Sequence, residues 1–217
     1  PFRCVEGIAM PKAIRVVEVG PRDGLQNEPT MRQLPLEELV DLRVQFIVAL
    51  ARSGLVDVEA GAFVRADRVP AMAGTDLVLK KLQKEHGDLW NTKKFWTLVP
   101  NQKGLELALK SGARHISVFT ATSDAFNQKN IQMRVDESLA QLKPVVEEAR
   151  KAGLAVRGYV STVWGCPYSG RVEPAKAVKV TDALFTMGVQ EISLGDTIGI
   201  ATPKQVDEVL DLANVDM

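Results

Sequence analysis

Four times along the chain an amphipathic stretch closes on a glycine and a short run of β-branched and apolar residues follows at once: ARSGLVDVE, KSGARHISVF, KAGLAVRGYV and TMGVQEISLG. Gly54, Gly112, Gly153 and Gly188 fall where a helix needs a left-handed residue to end before the chain turns into a strand. Repetition of that phrase is the grammar of βα units. It predicts strands near Ile14 to Val19, Leu55 to Ala60, Lys94 to Val99, His115 to Thr120, Ala155 to Ser161 and Glu191 to Leu194, with helices between them. The segment from Pro35 to Ser53 shows the helical half of the pattern: Leu36, Leu39, Val40, Phe46, Ile47 and Leu50 recur at helical spacing, with Glu37, Glu38 and Arg43 outside that stripe. Pro35, Pro174 and Pro203 sit where a first helical turn tolerates proline, whereas Pro144 is the one that could fall inside a helix.

Alternating strands and helices joined by right-handed crossovers imply a parallel sheet covered by helices. An open doubly wound sheet is complete at about six strands. A closed barrel needs eight, usually in about 250 residues. In 217 residues the chain holds about six units, so length alone favours the open sheet. Polar residues at the strand exits argue the other way. The first exit carries Glu18, Arg22 and Asp23, the second Glu59, the third Asn101, the fourth Thr120 and Ser123, the fifth Tyr159, Ser161 and Thr162, and the sixth Asp196 and Thr197. An open sheet binds its ligand at one switch point and needs two or three such exits. Six point to a ring of strands around one pocket. The expected fold is therefore α/β, a TIM (β/α)8-type barrel, here incomplete at about six βα units. Residues 1–11 read as a leader or tag-like segment, since Met10-Pro11-Lys12 resembles a natural start, and residues 12–217 read as a single partial barrel domain.

Each candidate has a plainer reading. Glu59 could mark a strand meeting water, Asp196 could cap a helix or an Asx-turn, and Arg22 beside Asp23 could be a turn with an ion pair. Cys166, in a stretch of proline and glycine, reads as an inert loop thiol with no neighbour that obviously depresses its pKa. His115 reads as a packed strand imidazole. His86 falls at a helix end, where it complements the dipole. Lys80, Lys81 and Lys84 make a solvated face.

Composition excludes several classes. Balanced charge, 27 basic against 27 acidic residues, gives no reason to expect a nucleic acid or anionic membrane as partner. No apolar run approaches the roughly 20 residues that span a bilayer, so a soluble protein is expected. Cys4 and Cys166 are too few for a disulfide scaffold and lack zinc spacing. Neither GxxxxGK, GxGxxG nor GxSxG follows any strand, which disfavours nucleotide and serine hydrolysis.

VEVGPRDGLQNE (Val17 to Glu28) resembles the first-strand signature of the 3-hydroxy-3-methylglutaryl-CoA lyase family. RVPAM (Arg68 to Met72), VPNQKG (Val99 to Gly104), FNQKNI (Phe126 to Ile131), VRGYVS and GCPYSG (within Val156 to Gly170) and EISLGDTIGIATP (Glu191 to Pro203) resemble further blocks in the family's order. Related metal-dependent aldol and Claisen barrels share only an RDGxQ core. The resemblance implies cleavage of a hydroxyacyl-CoA thioester into acetyl-CoA and acetoacetate with Mg²⁺ or Mn²⁺ bound. Asp23 would be a metal ligand and Arg22 the stabiliser of the enolate, with Glu59 and Asp196 in acid/base and substrate-orienting roles. Gln26, Ser123, Lys129, Asn130, Tyr159, Ser161 and Thr197 would bind substrate or support the site. The resemblance further implies a small-molecule acyl-CoA partner, leaves a homodimer open, and is compatible with a bacterial cytoplasm or a mitochondrial matrix. The family's His-x-His pair, its later asparagine and its loop cysteine have no counterpart here, and Cys166 belongs to a different block. EAGAF and Arg65-Ala66-Asp67 also depart from the family's pattern. A fragment of a full lyase is the expectation, with an apolar interior left uncovered by the missing strands; completion by a second chain and a non-catalytic acyl-CoA-binding protein stay open.

Overall fold

The structure, a computed structural model, describes residues 14–213; the leader-like residues 1–11, with Cys4 among them, lie outside the described residues. The chain runs β1 (Val17–Glu18), α1 (Leu36–Arg52), β2 (Asp57–Ala62), α2 (Thr75–Glu85), α3 (Gly87–Thr92), β3 (Lys94–Leu98), α4 (Gln102–Lys110), β4 (His115–Ala121), α5 (Asp124–Ile131), α6 (Val135–Lys151), β5 (Ala155–Ser161), β6 (Gly165–Cys166), β7 (Gly170–Arg171), α7 (Pro174–Thr186), β8 (Glu191–Leu194) and α8 (Pro203–Leu212). Six strands form one parallel sheet in the order β1-β2-β3-β4-β5-β8, while β6 and β7 make a two-residue antiparallel hairpin.

Strand order decides between the two architectures. A doubly wound sheet reverses direction at a switch point. Here every crossover moves the same way along the sheet, so right-handed connections put all the helices on one face. The sheet also curls. Six flat parallel strands would hold β1 and β8 about 24 Å apart at the usual spacing, yet Arg15, just before β1, forms an ion pair with Glu191 at the start of β8. The fold is an incomplete TIM-type barrel of six βα units.

The convex face packs on the helices. Val58, Ile116, Val118, Val156 and Val160 are fully buried there with Ile47, Leu79, Leu82, Leu105, Val145 and Leu184 from the helices. The concave face differs from expectation. Its lower positions, two residues apart along each strand, carry Asp57, Glu59, Ser117, Arg157, Tyr159 and Glu191. That interior is polar and ion-paired, not a bare apolar surface. Above it a second apolar cluster of Met31, Leu39, Ala62, Ala71, Met72 and Leu98 walls the mouth.

Two strands depart from their sequence boundaries by two residues or more, and β3 and β4 by one residue each. β1 shortens to Val17–Glu18 because only those residues pair with Asp57 and Val58; Ile14 and Val16 are exposed. β2 extends to Ala62 because its register shifts between Glu59 and Gly61, an added residue that leaves the pairing with β3 intact on both sides. Pro144 lies inside α6, and Pro174 and Pro203 open α7 and α8.

Candidate active site

The pentapeptide GPRDG, Gly20 to Gly24, follows β1 as a single wide turn. The Asp23 and Gly24 N–H groups donate to the Val19 carbonyl at 2.7 and 3.4 Å, and the Leu25 N–H donates to the Gly20 carbonyl at 3.0 Å. Two of these bonds span five residues, the spacing of a π-turn, a device common at functional sites. The Gly20 N–H donates to Glu18 Oε1 at 2.6 Å, and a Cβ on residue 20 would stand 2.7 Å from that oxygen and displace the carboxylate. The turn throws Arg22 back over the concave face instead of letting it run into solvent.

Arg22 is held from two sides. Its Nε and Nη2 lie 2.7 and 2.6 Å from Glu59 Oε2, and its Nη1 lies 2.8 Å from Asp23 Oδ1. Its guanidinium carbon sits 5.6 Å from the centre of the Tyr159 ring. Ser117 Oγ donates to Glu59 Oε1 at 2.9 Å, reaching from β4 across β3 to β2. Gln26 Nε2 donates to Asp23 Oδ1 at 3.1 Å. Burial pulls the Arg22 pKa down, but Glu59 and Asp23 outweigh it and the net shift is upward, so this cation keeps its charge. Three of its five N–H donors are used, which leaves two for a ligand. Burial and then the Glu59 carboxylate push the Tyr159 phenol up to about 12, and its buried hydroxyl, close to Glu59 and Arg157, makes no hydrogen bond of ordinary geometry among the described residues. A buried hydroxyl left in that state calls for one.

Glu59 is wholly buried, so the reading of a strand simply meeting water is corrected: the curled sheet folds that exit inward. Asp23 is half exposed, and its Oδ2 makes no ion pair or hydrogen bond among the described residues. Arg22, Asp23, Gln26, Glu59 and Tyr159 are brought together, and Ser161 follows two residues after Tyr159 at the end of β5. Other predicted residues are occupied elsewhere. Asp196 accepts the Ile200 and Ala201 N–H groups at 3.1 and 2.9 Å, one on each carboxylate oxygen, and no hydrogen bond or ion pair joins it to Arg22 or Glu59. Thr197 Oγ1 accepts the Thr162 N–H at 2.8 Å. Ser123 caps α5 and lies 3.0 Å from Cys166 Sγ. Lys129 and Asn130 are exposed on α5, with Lys129 Nζ 5.7 Å from the Tyr168 ring centre.

Sequence reasoning missed Ser117 and the surroundings of Cys166. The signal for Ser117 was a hydroxyl two residues past His115, within an otherwise apolar run of the strand. Cys166 is free and buried; burial alone would raise its pKa, but hydrogen bonds from Ser123 and Ser169 and from the Tyr168 and Ser169 backbone prevail and lower it. Those partners come together only through the β6–β7 hairpin. His115 is as expected, packed 5.1 Å from the Trp96 ring.

Among the described residues no three His, Cys, Asp or Glu side chains cluster in a way that could hold a metal ion. Asp23 offers one oxygen to a hard cation, which wants about six. The described residues do not by themselves fit a divalent metal.

An incomplete parallel barrel with an arginine clasped between carboxylates at the C-terminal mouth of its strands has the design of a (β/α) barrel with its site at that end. Residues 13–214 match the HMGL-like family, and the chain belongs to it. It is 44% identical to the mitochondrial hydroxymethylglutaryl-CoA lyase of Bos taurus over 92% of this chain and 58% of that protein. It superposes on the hydroxymethylglutaryl-CoA lyase of Pseudomonas aeruginosa with a TM-score of 0.83 at 41% identity, covering 94% of this chain and 64% of that one. It also superposes on an HMG-CoA lyase of Acinetobacter baumannii solved in complex with coenzyme A and 3-methylmalate, with a TM-score of 0.77 at 28% identity over 91% of this chain and 62% of that one. The chain thus spans less than two thirds of the length of each of these relatives.

Proposed function

We propose that the chain carries the substrate-activating part of a carbon–carbon lyase that splits 3-hydroxy-3-methylglutaryl-CoA into acetyl-CoA and acetoacetate. The observation that carries this reading is Arg22, fixed by Glu59 and Asp23 with two donors still unused. In the reaction the substrate's 3-hydroxyl loses its proton, its oxygen becomes the ketone of acetoacetate, and the C2–C3 bond breaks. The bonding pair moves onto the thioester as an enolate, which takes a proton at C2 to become acetyl-CoA. The group most in need of stabilisation is the thioester oxyanion, and a guanidinium already oriented before substrate arrives stabilises it without reorganising.

Glu59 serves as the anchor for that guanidinium, one oxygen accepting from Arg22 and the other from Ser117. The open Asp23 Oδ2 is the carboxylate oxygen available to the substrate hydroxyl or to a cation. A divalent metal, if bound at Asp23, would acidify the hydroxyl; it would need further ligands beyond the described residues, and no step here runs through it. Tyr159 remains a neutral donor beside Arg22 and suits a substrate oxygen. Ser161, Lys129 and Asn130 stand at the same end of the sheet, where the CoA side of the thioester would lie. Asp196 and Thr197 shape the loop after β8. The relatives named above are mitochondrial or bacterial proteins, which supports a matrix or bacterial cytoplasmic setting. No helix among the described residues is long and apolar enough to cross a membrane.

The test is acetoacetate release from 3-hydroxy-3-methylglutaryl-CoA with Mn²⁺ supplied, comparing the chain with Arg22→Gln. Removing an oxyanion donor costs about 10²–10³ in kcat, and that loss is expected with the thioester still bound. Turnover unaffected by Arg22→Gln would sink the role given to Arg22. Thioester binding without turnover in the unaltered chain would make it an acyl-CoA-binding module instead.

A further inference from the structure

Arg43 is a cation in an unusual place. It projects from α1 into the layer between helix and sheet, is wholly buried, and has no carboxylate partner among the described residues. Burial alone lowers its pKa to about 10. A helix could cover a sheet there with leucine at far lower desolvation cost, so the guanidinium is there for its donors. Nη1 donates to the Ala73 carbonyl at 2.9 Å; Nη2 donates to the Ala60 carbonyl at 3.0 Å and to Thr75 Oγ1 at 3.1 Å. Thr75 in turn donates to the Ala62 and Met72 carbonyls at 3.1 and 2.9 Å.

Those acceptors bracket one irregularity. The β2 register shifts between Glu59 and Gly61, so Ala60 is the extra residue of a bulge. A bulged residue lies outside the regular ladder, bends the strand and re-aims its neighbours. Gly61 completes the arrangement, since a Cβ on it would overlap Arg43 Nη2 and Thr75 Oγ1. The carbonyl that Arg43 grips belongs to the residue directly after Glu59.

We propose that Arg43 is a positioning residue that braces the Ala60 bulge from behind and so aims Glu59 at Arg22. The side chain works through the strand: Arg43 fixes Ala60, Ala60 fixes the direction of Glu59, and Glu59 fixes the guanidinium of Arg22. Two arginines on opposite faces of one strand are thereby coupled, the outer one structural and the inner one facing the mouth. Only the kinetic consequence rests on the proposed lyase reaction; the geometric one does not.

The experiment reads the Arg22 Nε–H resonance of the ¹⁵N-labelled 217-residue chain, assigned by its loss in Arg22→Gln. Arg43→Met is expected to move that resonance to where Glu59→Gln moves it, because both release Nε from its carboxylate. Arg43→Lys, which keeps a donor, is expected to leave it near its original position, and Arg52→Met, on the exposed side of the same helix, is the control. A merely structural role predicts a lower melting temperature for Arg43→Met with the Arg22 resonance unmoved, and that result overturns the proposal. Should Arg43→Met not fold, Gly61→Ala carries the same comparison, since its Cβ displaces Nη2 from Ala60 without removing the cation. Acetoacetate release measured in parallel should fall about 100-fold in kcat with KM little changed. No turnover in the unaltered chain, with the resonances responding as described, would overturn the lyase reading and leave Arg43 its role.

Discussion

The concave face of the sheet holds two charged clusters built from the same residue types and finished in different ways. At the C-terminal mouth one arginine, Arg22, stands between Glu59 and Asp23, and Asp23 leaves an oxygen open. At the N-terminal floor two arginines meet two acids: Arg15 faces Asp57 at 3.4 Å and pairs with Glu191, and Arg157 pairs with Glu191 from the other side. Trp96 Nε1 donates to Asp57 Oδ1 at 2.8 Å, and the Arg157 guanidinium lies 4.7 Å from the centre of the same indole ring. Charges balance at the floor, and the capacity left over there, Arg157 Nε and Asp57 Oδ2, is buried out of reach of solvent. At the mouth the spare acceptor, Asp23 Oδ2, belongs to a half-exposed side chain, and two Arg22 donors are spare beside it. Residue type does not separate a site from a structural network; unspent hydrogen-bonding capacity at an accessible end does. The same division runs through barrel proteins generally, with chemistry at the C-terminal end and stability at the other.

The strongest way to break this comparison is at Glu191. Glu191→Ala leaves Arg157, 2% exposed, without its carboxylate, and frees Arg15 from the last strand of the sheet. Removing one partner of a buried pair typically costs about 3–5 kcal/mol, and partial exposure of Glu191 puts the expectation at the lower end. Urea unfolding checks it. Turnover per folded molecule should be unchanged, and a loss of activity without a loss of stability would erase the distinction between floor and mouth.

A smaller effect comes from pH. His115, at the floor, is held neutral: burial first, then the charge of Lys94, lowers its pKa to about 4 from 6.5. A group whose folded pKa lies below its unfolded value contributes stability that is fully present above about pH 6.5 and is lost as pH falls toward 4. The unfolding midpoint should therefore fall across that window, and His115→Gln should flatten the decline. A decline that persists in His115→Gln would place the titration elsewhere.

How much of this was legible beforehand depends on which force set each feature. β5 and β8 follow their apolar runs to the residue, because hydrophobic patterning sets both ends. β2 is displaced because its bulge is held by Arg43 from another element, and no local pattern in LVDVEAGAF shows that. Six polar strand exits point to a barrel, and the fold is an incomplete one, but several of those exit residues do other work. Asn101 caps α4 by accepting the Gly104 N–H, and Thr120 faces α5 and α6 through Asn127 and Ser138. Sequential strand order is the firmer reason. At the site, GPRDG pointed to Arg22 and Asp23 because a polar run ended a buried strand. Ser117 stayed hidden, since its partner lies 58 residues away across an intervening strand. A sequence shows a carboxylate at an exit, but not whether nearby backbone N–H groups have already claimed its oxygens.

Asp196 is where that last uncertainty can be removed by experiment. Both of its oxygens are taken by the loop that leads into α8, while Thr202, not Asp196, caps that helix. Asp196→Asn keeps one acceptor and replaces the other by a donor facing a backbone N–H. The cost should be about 1 kcal/mol, the worth of one hydrogen bond, visible as a small shift in the urea midpoint. Turnover should fall less than tenfold, against about 10²–10³ for the oxyanion donor Arg22. Were Asp196→Asn to match Arg22→Gln in kcat, Asp196 would have to leave its loop partners and swing toward the mouth when substrate binds, and the cluster around Arg22 would then be the resting form of a larger site.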